Sequence, residues 1–477
     1  MAGADPEDES PPVERSLEPL WGSARERWES SGDDPAPQLA SEPWDRRPDK
    51  VTTTLVFLVC LVVYLATATY TVSQSNDTRA ATQTAYSLVT TGSWALPSEW
   101  EGEADWEVQG VDGRSYTNRF PLMAVYAAPF HLVADLASTD PRPEHPHLIN
   151  YAPSGVAAAT VAAAAVTVSF LLFRRLATRR LALAATAGLA FATGVWPISA
   201  AQIWPHGLTH LLVALGVLAA ADRRAAWSGL AFGTSLLARP HLAVVAAVVG
   251  SWHAVRYRSL RTLLLTGSLA ALGLAAVVAY SRVLFNTWLP IAGYSDYAVE
   301  NVTGLSAAEY GERILLAFVD PVRGLFIYLP VLLVLLPFVR RGWKVSPWWV
   351  RAAAIAGVVY LLLQLRLNVH HGGAQFFGPR LTIETTVLVA PLLLRTYQAH
   401  HQGRRWLAPA VHVLLAVGIV FHALGATVWR QPFVDVDANW RERIEELCTE
   451  EGYEAGCPEE LSLRSDPRPD ARPQASP

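Results

Sequence analysis

Between residues 51 and 430 the chain is a succession of apolar runs separated by short polar turns. A helix crossing a bilayer needs about 20 mostly apolar residues, and helices inside a large bundle manage with fewer. The pattern predicts spans near 51–72, 152–173, 181–199, 206–221, 225–238, 241–255, 262–283, 323–339, 348–366, 381–397 and 406–428, about eleven in all. The pair across 225–255 also reads as one long helix broken at Arg239-Pro240, because proline removes a backbone donor and clashes with the preceding turn. The fold class expected from this pattern is an all-α integral membrane protein.

One connection departs from the rhythm. Residues 73–151 form the longest loop, the first after the first span, and open with SNDTRAATQTAYSLVTTGSW. Ser75 or Asn76 suits an N-cap, Ala80, Ala81, Ala85, Leu88 and Val89 line one side, and Gly92 is a terminator, so the stretch predicts an interfacial helix. Asp77 falls in its first turn with Arg79 beside it, and the helix dipole and a nearby cation both favour an ionised carboxylate. The plainer alternative is that Asp77 only caps the helix. Next come Glu99, Glu101, Glu103, Asp105, Glu107 and Asp112, interleaved with Trp94, Trp100 and Trp106. This stretch reads as a solvated loop, or as a rim where indole faces stack on sugar rings and carboxylates hold hydroxyls. Pro121 and Pro129 interrupt the apolar run 120–134, which predicts a re-entrant or interfacial helix in place of a span.

Charge sets the expected orientation. Residues 1–50 carry a net −7, residues 51–430 a net +10 and residues 431–477 a net −7, within a total of −4. Positively charged short loops stay cytoplasmic. A cytoplasmic N-terminus keeps the arginine-rich turns at 174–180, 223–224, 256–261, 340–344 and 404–405 inside, and it leaves Asp222 as the one acidic residue of the body on that face. The body is therefore expected to be multi-pass in the plasma membrane, with an acidic, disordered cytoplasmic tail over 1–50 and an acidic extracytoplasmic tail over 431–477. In that second tail Cys448 and Cys457 are close enough in sequence to close a small disulfide loop in an oxidising compartment, or to remain two thiols.

Charged residues make up 17% of the chain, against about 25% in a typical globular protein. That composition excludes a nucleic-acid binder resting on overall positive charge and a disulfide-dense mini-protein. No GxxxxGK[ST] loop and no strand-borne GxGxxG occurs, so neither a nucleotide-driven nor a nicotinamide reaction has sequence support. What remains is a set of ionisable residues at the predicted outer ends of spans, positions that mark functional sites because charge at membrane depth is expensive. His206 and His210 are one helical turn apart in WPHGLTH; Arg239 and His241 flank Pro240; Asp320 and Arg323 precede an apolar run; His370 and His371 open HHGGAQFFGPR, which ends at Arg380, with Glu384 one turn further on. Snorkelling to headgroups is the competing account of Arg323 and Arg380. The histidines and a carboxylate have spacing compatible with a divalent metal, although lone histidines at such places more often bind phosphate or hydrogen-bond.

Taken in order, SNDTRAATQTAYSLVTTGSW, DGRSYTNRFPLMAVYAAPFHL, GLAFGTSLLARPHLAV, DPVRGLFIYLPVLLVLLPF and GGAQFFGPRLTIETTVLVAPLLL resemble polytopic GT-C-type glycosyltransferases, a superfamily that includes protein mannosyltransferases, aminoarabinose transferases and mycobacterial arabinofuranosyltransferases. The resemblance covers most of residues 51–430. It implies a GT-C-like fold whose first outer loop carries the catalytic acid, here Asp77. Many members have an adjacent acidic pair where this chain has Asn76-Asp77-Thr78. The resemblance further implies a polyprenyl-phosphate sugar as donor, and a glycan, glycolipid or protein of the cell envelope as acceptor. Asp77 would take the acceptor's proton while its oxygen attacks the anomeric carbon, with inversion. Arg380, Arg239 and Arg323, in that order, with His206, His210 and His371 as helpers, are the expected phosphate-binding residues, because a guanidinium binds phosphate oxygens in pairs. Arg79, Trp94, Trp100, Arg119 and Glu384 are the expected substrate contacts. The sequence points to no particular cofactor, a divalent metal being the one candidate.

Two other classes fit the same sequence. A transporter or flippase of lipid-linked glycans would line a cavity with Arg239, Arg380 and Glu384, but the halves of the chain show no convincing internal repeat. A non-catalytic envelope-assembly protein would work through its acidic tails. The orientation is the first expectation open to test: a reporter fused after residue 430 is expected to be extracytoplasmic, and a cytoplasmic reporter would overturn the map of outer residues.

Overall fold

The computed structural model describes residues 49–70, 75–97, 106–137, 150–294, 304–372 and 376–428. The two expected tails beyond Asp49 and Val428, Trp100 and the Cys448–Cys457 pair lie outside them. Helix α1 (Lys50–Thr67) leads to α2 (Asn76–Thr90), a hairpin of β1 (Glu107–Gln109) and β2 (Ser115–Thr117), and α3 (Leu122–Leu136). Then follow α4 (Ala152–Arg174), α5 (Arg179–Phe191), α6 (Pro205–Ala221), α7 (Ala225–Leu236), α8 (Ala243–Tyr257) and α9 (Leu260–Phe285). The remainder is α10 (Ala307–Val319), α11 (Leu325–Tyr328), α12 (Val331–Leu335), α13 (Val339–Lys344), α14 (Trp348–Leu367), α15 (Ile383–His400) and α16 (Leu407–Ala426).

Among the described residues five helices are long and apolar enough to cross a membrane, α1, α4, α9, α14 and α16, while α3 and α6 are apolar but shorter. The protein is thus a mostly helical membrane protein. Its centre is α4, whose Ala157, Ala158, Ala159, Ala162, Ala163 and Ala165 are fully buried. Lipid is as apolar as a helix surface, so association in the membrane rests on close van der Waals fit, which small side chains allow. Helices α1 and α6 pack along α4, and α3 and α5 lean against it. The outermost helices turn apolar side chains outward: Val51, Leu55, Val59 and Val62 on α1, Leu263, Leu264 and Leu272 on α9, and Val413, Val417 and Val420 on α16 are exposed. Such faces suit lipid, not water.

Prolines modify the predicted spans. Residues 181–199 are not one helix: α5 stops at Phe191 and the chain continues as a π-helical turn, Val195–Ala200, around Pro197. The predicted span 323–339 is broken into α11, α12, a 3-10 turn (Leu336–Phe338) and α13, with Pro330 and Pro337 at the breaks. At Arg239-Pro240 the chain breaks too, leaving Arg239 extended (φ −151°, ψ 95°) between α7 and α8. Each break frees backbone groups that only surrounding protein can satisfy.

The described parts of the long first connection carry regular structure. Helix α2 starts after Ser75, and Gly92 beyond its end has φ +65°, a left-handed conformation that favours glycine. Thr82 Oγ1 donates to Ser154 Oγ at 2.8 Å, fastening α2 to the start of α4. Part of the acidic, tryptophan-rich stretch is the hairpin, which pairs Val108 with Tyr116. Trp106 is buried, and its indole N–H donates to Gln83 Oε1 at 3.2 Å, pinning the hairpin to α2.

Close backbone approach is most marked between α7 and α9, where a Cβ on Gly273 would run into the Gly233 carbonyl, while one on Gly267 would meet open space. Gly273→Val is therefore expected to destabilise the protein by about 1–3 kcal/mol through overpacking, seen as a lowered thermal midpoint in detergent. Gly267→Ala on the same helix serves as the control and should leave the midpoint nearly unchanged.

Candidate functional site

Asp77, in the first turn of α2, lies between two arginines from distant parts of the chain. Its Oδ1 is 2.7 Å from Arg119 Nε, and its Oδ2 accepts a hydrogen bond from Arg380 Nη1 at 2.6 Å. The Asp77 side chain keeps 20% of its surface exposed, and the two arginines 17% each, so the cluster is enclosed but reachable. Burial alone would raise the Asp77 pKa; the positive charges of Arg119 and Arg380, and the hydrogen bond from Arg380, outweigh it and hold the carboxyl well below the usual carboxylate range.

Each arginine is oriented by aromatic rings. The Arg380 guanidinium stands 4.6 Å from the Trp204 ring centroid and 4.8 Å from that of Phe376, which also faces Arg323 at 5.1 Å. The Arg119 guanidinium lies 4.8 Å over Tyr294, hydrogen-bonds its hydroxyl, and donates to Asn118 Oδ1 at 2.7 Å. Flat faces hold a planar cation in position while leaving its edge N–H groups for an anion. Arg79, the expected neighbour of Asp77, instead lies 5.3 Å over Trp106. Two positions along a helix turn a side chain about 200° away, so sequence adjacency did not bring the charges together.

Behind this pair is a second, largely buried network. Glu384, at the start of α15, and His206, at the start of α6, are both without exposed surface. His206 Nδ1 is 3.0 Å from Glu384 Oε1, Thr209 Oγ1 donates to the same oxygen at 2.7 Å, and Arg239 Nη1 is 3.7 Å from it. A carboxylate only accepts and a guanidinium only donates, so His206 carries its proton on Nδ1, and its Nε2 accepts from Arg239 Nη2 at 3.2 Å. Arg239 Nη1 also donates to the Tyr360 hydroxyl at 3.0 Å, which receives Gln364 Nε2 at 3.0 Å and meets His241 Nε2 at 3.3 Å. Arg239 is near enough to act electrostatically on Asp77. Three guanidinium groups against two carboxylates leave one positive charge on the combined cluster.

The other expected residues divide. His210 points elsewhere: its Nε2 meets Ser169 Oγ at 2.8 Å, deep in the bundle. Arg323 faces the ring of Phe376, which it shares with Arg380. His371 packs edge-on against His370, whose Nε2 lies 2.8 Å from Asp320 Oδ2. Burial would raise the Asp320 pKa, but the hydrogen bond from His370 and those from the Val322 and Arg323 backbone bring it down to about 2. Trp94 packs edge-on with Tyr280 at 5.6 Å, and the Tyr280 hydroxyl donates to the Arg119 carbonyl at 3.3 Å. Among the described residues no group of three or more His, Cys, Asp or Glu side chains is arranged to hold a metal ion. Tyr294, Tyr360, Thr209, Trp204 and Phe376 were not singled out from the sequence. Tyr360 and Gln364 did leave a signal, two polar groups one turn apart inside an apolar span.

No family model and no curated protein matches the chain. Among solved structures it is similar to the crystal structure of ArnT from Cupriavidus metallidurans in the apo state, with 13% sequence identity and a TM-score of 0.46 over 79% of this chain and 76% of that one. It is also similar to ArnT from the same organism bound to undecaprenyl phosphate, with 12% identity and a TM-score of 0.43 over 80% of this chain and 77% of that one.

Glu384 is the counter-charge of a buried guanidinium, so its removal leaves Arg239 uncompensated. Glu384→Gln, which keeps the shape, is expected to destabilise the fold by on the order of 3 kcal/mol. Thermal unfolding in detergent checks this, and an unchanged midpoint would show that the network contributes little to the fold.

Proposed function

We propose that the protein is a GT-C-type membrane glycosyltransferase that moves a sugar from a polyprenyl-phosphate donor to an extracytoplasmic acceptor: a cell-wall or envelope glycan, a glycolipid or a protein. The observation that carries this is the meeting of Asp77 with Arg119 and Arg380, backed by Arg239, at one end of a bundle of apolar helices. A donor already anchored in the bilayer needs no nucleotide site, and the sequence offers none.

The residues supply what such a transfer requires. The acceptor oxygen attacks the anomeric carbon from the side opposite the phosphate, giving inversion, while Asp77 takes its proton. Polyprenyl phosphate is a good leaving group, so the second carboxylic acid used by glycosidases is not needed. What the departing phosphate needs is positive charge at the oxygen where negative charge develops, and Arg380, Arg119 and Arg239 are the donors for it. Glu384, His206 and Tyr360 hold Arg239 and so fix one of those charges.

The test is an assay of the purified protein in lipid against a panel of polyprenyl-phosphate sugars, with envelope extract as acceptor, following release of polyprenyl phosphate. Release is expected, and Asp77→Asn should lower it by about 10²- to 10⁴-fold, the range for loss of a general base. Arg380→Ala should lower it by about 10²-fold or more. Undiminished turnover in Asp77→Asn would remove that residue from the mechanism, and donor binding without any release in the presence of acceptor would favour a transporter.

A further inference from the structure

Asp77 is not available as a base in the arrangement described. Both its oxygens are engaged by guanidinium groups, at 2.7 Å from Arg119 Nε and 2.6 Å from Arg380 Nη1. A carboxylate held between two cations has little tendency to accept a proton. The groups that hold it are also those best suited to a phosphate, since carboxylate and phosphate oxygens fit the same guanidinium fork. Carboxylate and phosphate are therefore rivals for one set of donors.

Charge points the same way. The excess of one positive charge among Arg119, Arg239, Arg380, Asp77 and Glu384 equals, with opposite sign, the charge of one phosphodiester. The arginines also differ in freedom. Arg239 is fixed through Tyr360, His206 and Glu384. Arg380 is held by the faces of Trp204 and Phe376, so its edge N–H groups can pass from one anion to another while its charge stays in place.

We propose that Asp77 occupies the place of the donor phosphate while the site is empty, and that the donor, by taking Arg380 from Asp77, turns it into the base. This rests on the transferase reading of the site. The phosphodiester draws the Arg380 N–H groups to its own oxygens, and Asp77 gains basicity. The acceptor oxygen then forms its bond to the anomeric carbon and gives its proton to Asp77. The anomeric carbon–oxygen bond breaks, and its electron pair stays on the phosphate. One carboxylate and one diester become one carboxylic acid and one monoester dianion, so the total charge is unchanged. Asp77 passes its proton to water and returns to Arg380, which helps to expel the lipid phosphate. A base made by donor binding also leaves the empty site without proton-abstracting power.

The experiment measures binding of polyprenyl phosphate and, in parallel, of inorganic phosphate to the full chain in lipid nanodiscs. Wild type is compared with Asp77→Asn, Asp77→Ala, Arg380→Ala and Asp320→Asn, and thermal unfolding of each variant with and without ligand shows that it is folded. Both Asp77 variants, although defective in transfer, should bind polyprenyl phosphate about tenfold more tightly than wild type, the scale of one charge-assisted hydrogen bond. Arg380→Ala should bind more weakly, and Asp320→Asn, a carboxylate paired with His370 instead, should be unchanged. Equal or weaker binding by the Asp77 variants overturns displacement. A gain in Asp320→Asn as large as that in Asp77→Asn overturns it too, because overall charge would then be the cause. Tightening for inorganic phosphate but not for polyprenyl phosphate overturns the donor as occupant. If no polyprenyl phosphate binds to any of the proteins, the transferase reading itself fails, a result distinct from the others.

Discussion

A charge at the end of an apolar helical bundle is costly unless another side chain answers it, and in this fold each answer comes from a different stretch of chain. Asp77 of α2 is answered by Arg119, just ahead of α3, and by Arg380, just ahead of α15. Glu384 is answered from α6 by His206 and Thr209, and by Arg239 at the break between α7 and α8. Neutralisation thus ties together elements that apolar packing alone would leave free to rotate. The same requirement produces chemistry, because a cluster that is nearly but not wholly neutral is ready for one more anion.

Helix breaks put these charges where they are. Arg239 sits in extended backbone ahead of Pro240, and Arg380 begins a 3-10 turn after Pro379. A continuous helix would carry both side chains on its own cylinder, facing a direction fixed by its packing. The breaks allow them to reach across to Asp77 and Glu384 from neighbouring elements. Irregular backbone of this kind is tolerated in a membrane protein where other protein covers it. The alanine-rich α4 and the glycines of α7 and α9 make that cover possible by letting helices approach closely. The opposite end of the bundle has a more ordinary arrangement, in which Arg175 and Asp222 form a partly exposed ion pair at 2.6 Å. Such a pair contributes little to stability.

Much of this was legible in the chain itself. The apolar runs locate most of the helices, and the N-cap and glycine signals bound α2. The cost of ionisable groups at membrane depth points to Arg239, Arg380, His206 and Glu384, though equally to His210, Arg323 and His371, while Asp77 stands out by its place in the first turn of α2 and by the resemblance. The hairpin escaped because its strands are three residues each, too short for alternation to stand out from a polar loop. The predicted span 323–339 failed because window hydropathy averages over Pro330 and Pro337, whereas the backbone responds to each proline separately.

Pairing was the part that sequence left open. Arg79 is two residues from Asp77 and faces away to Trp106, while Arg119 and Arg380 are far along the chain and hold it. His206 and His210 share a helix and similar spacing signals, yet one meets Glu384 and the other Ser169. Apolar length, helix caps and residue chemistry are local properties, so the sequence by itself determined that this is a helical membrane protein with costly charges at the ends of its helices. Which charge meets which depends on how each helix is rotated and where each break falls. Those are settled only when all the helices pack together, and so the tertiary structure decided the site.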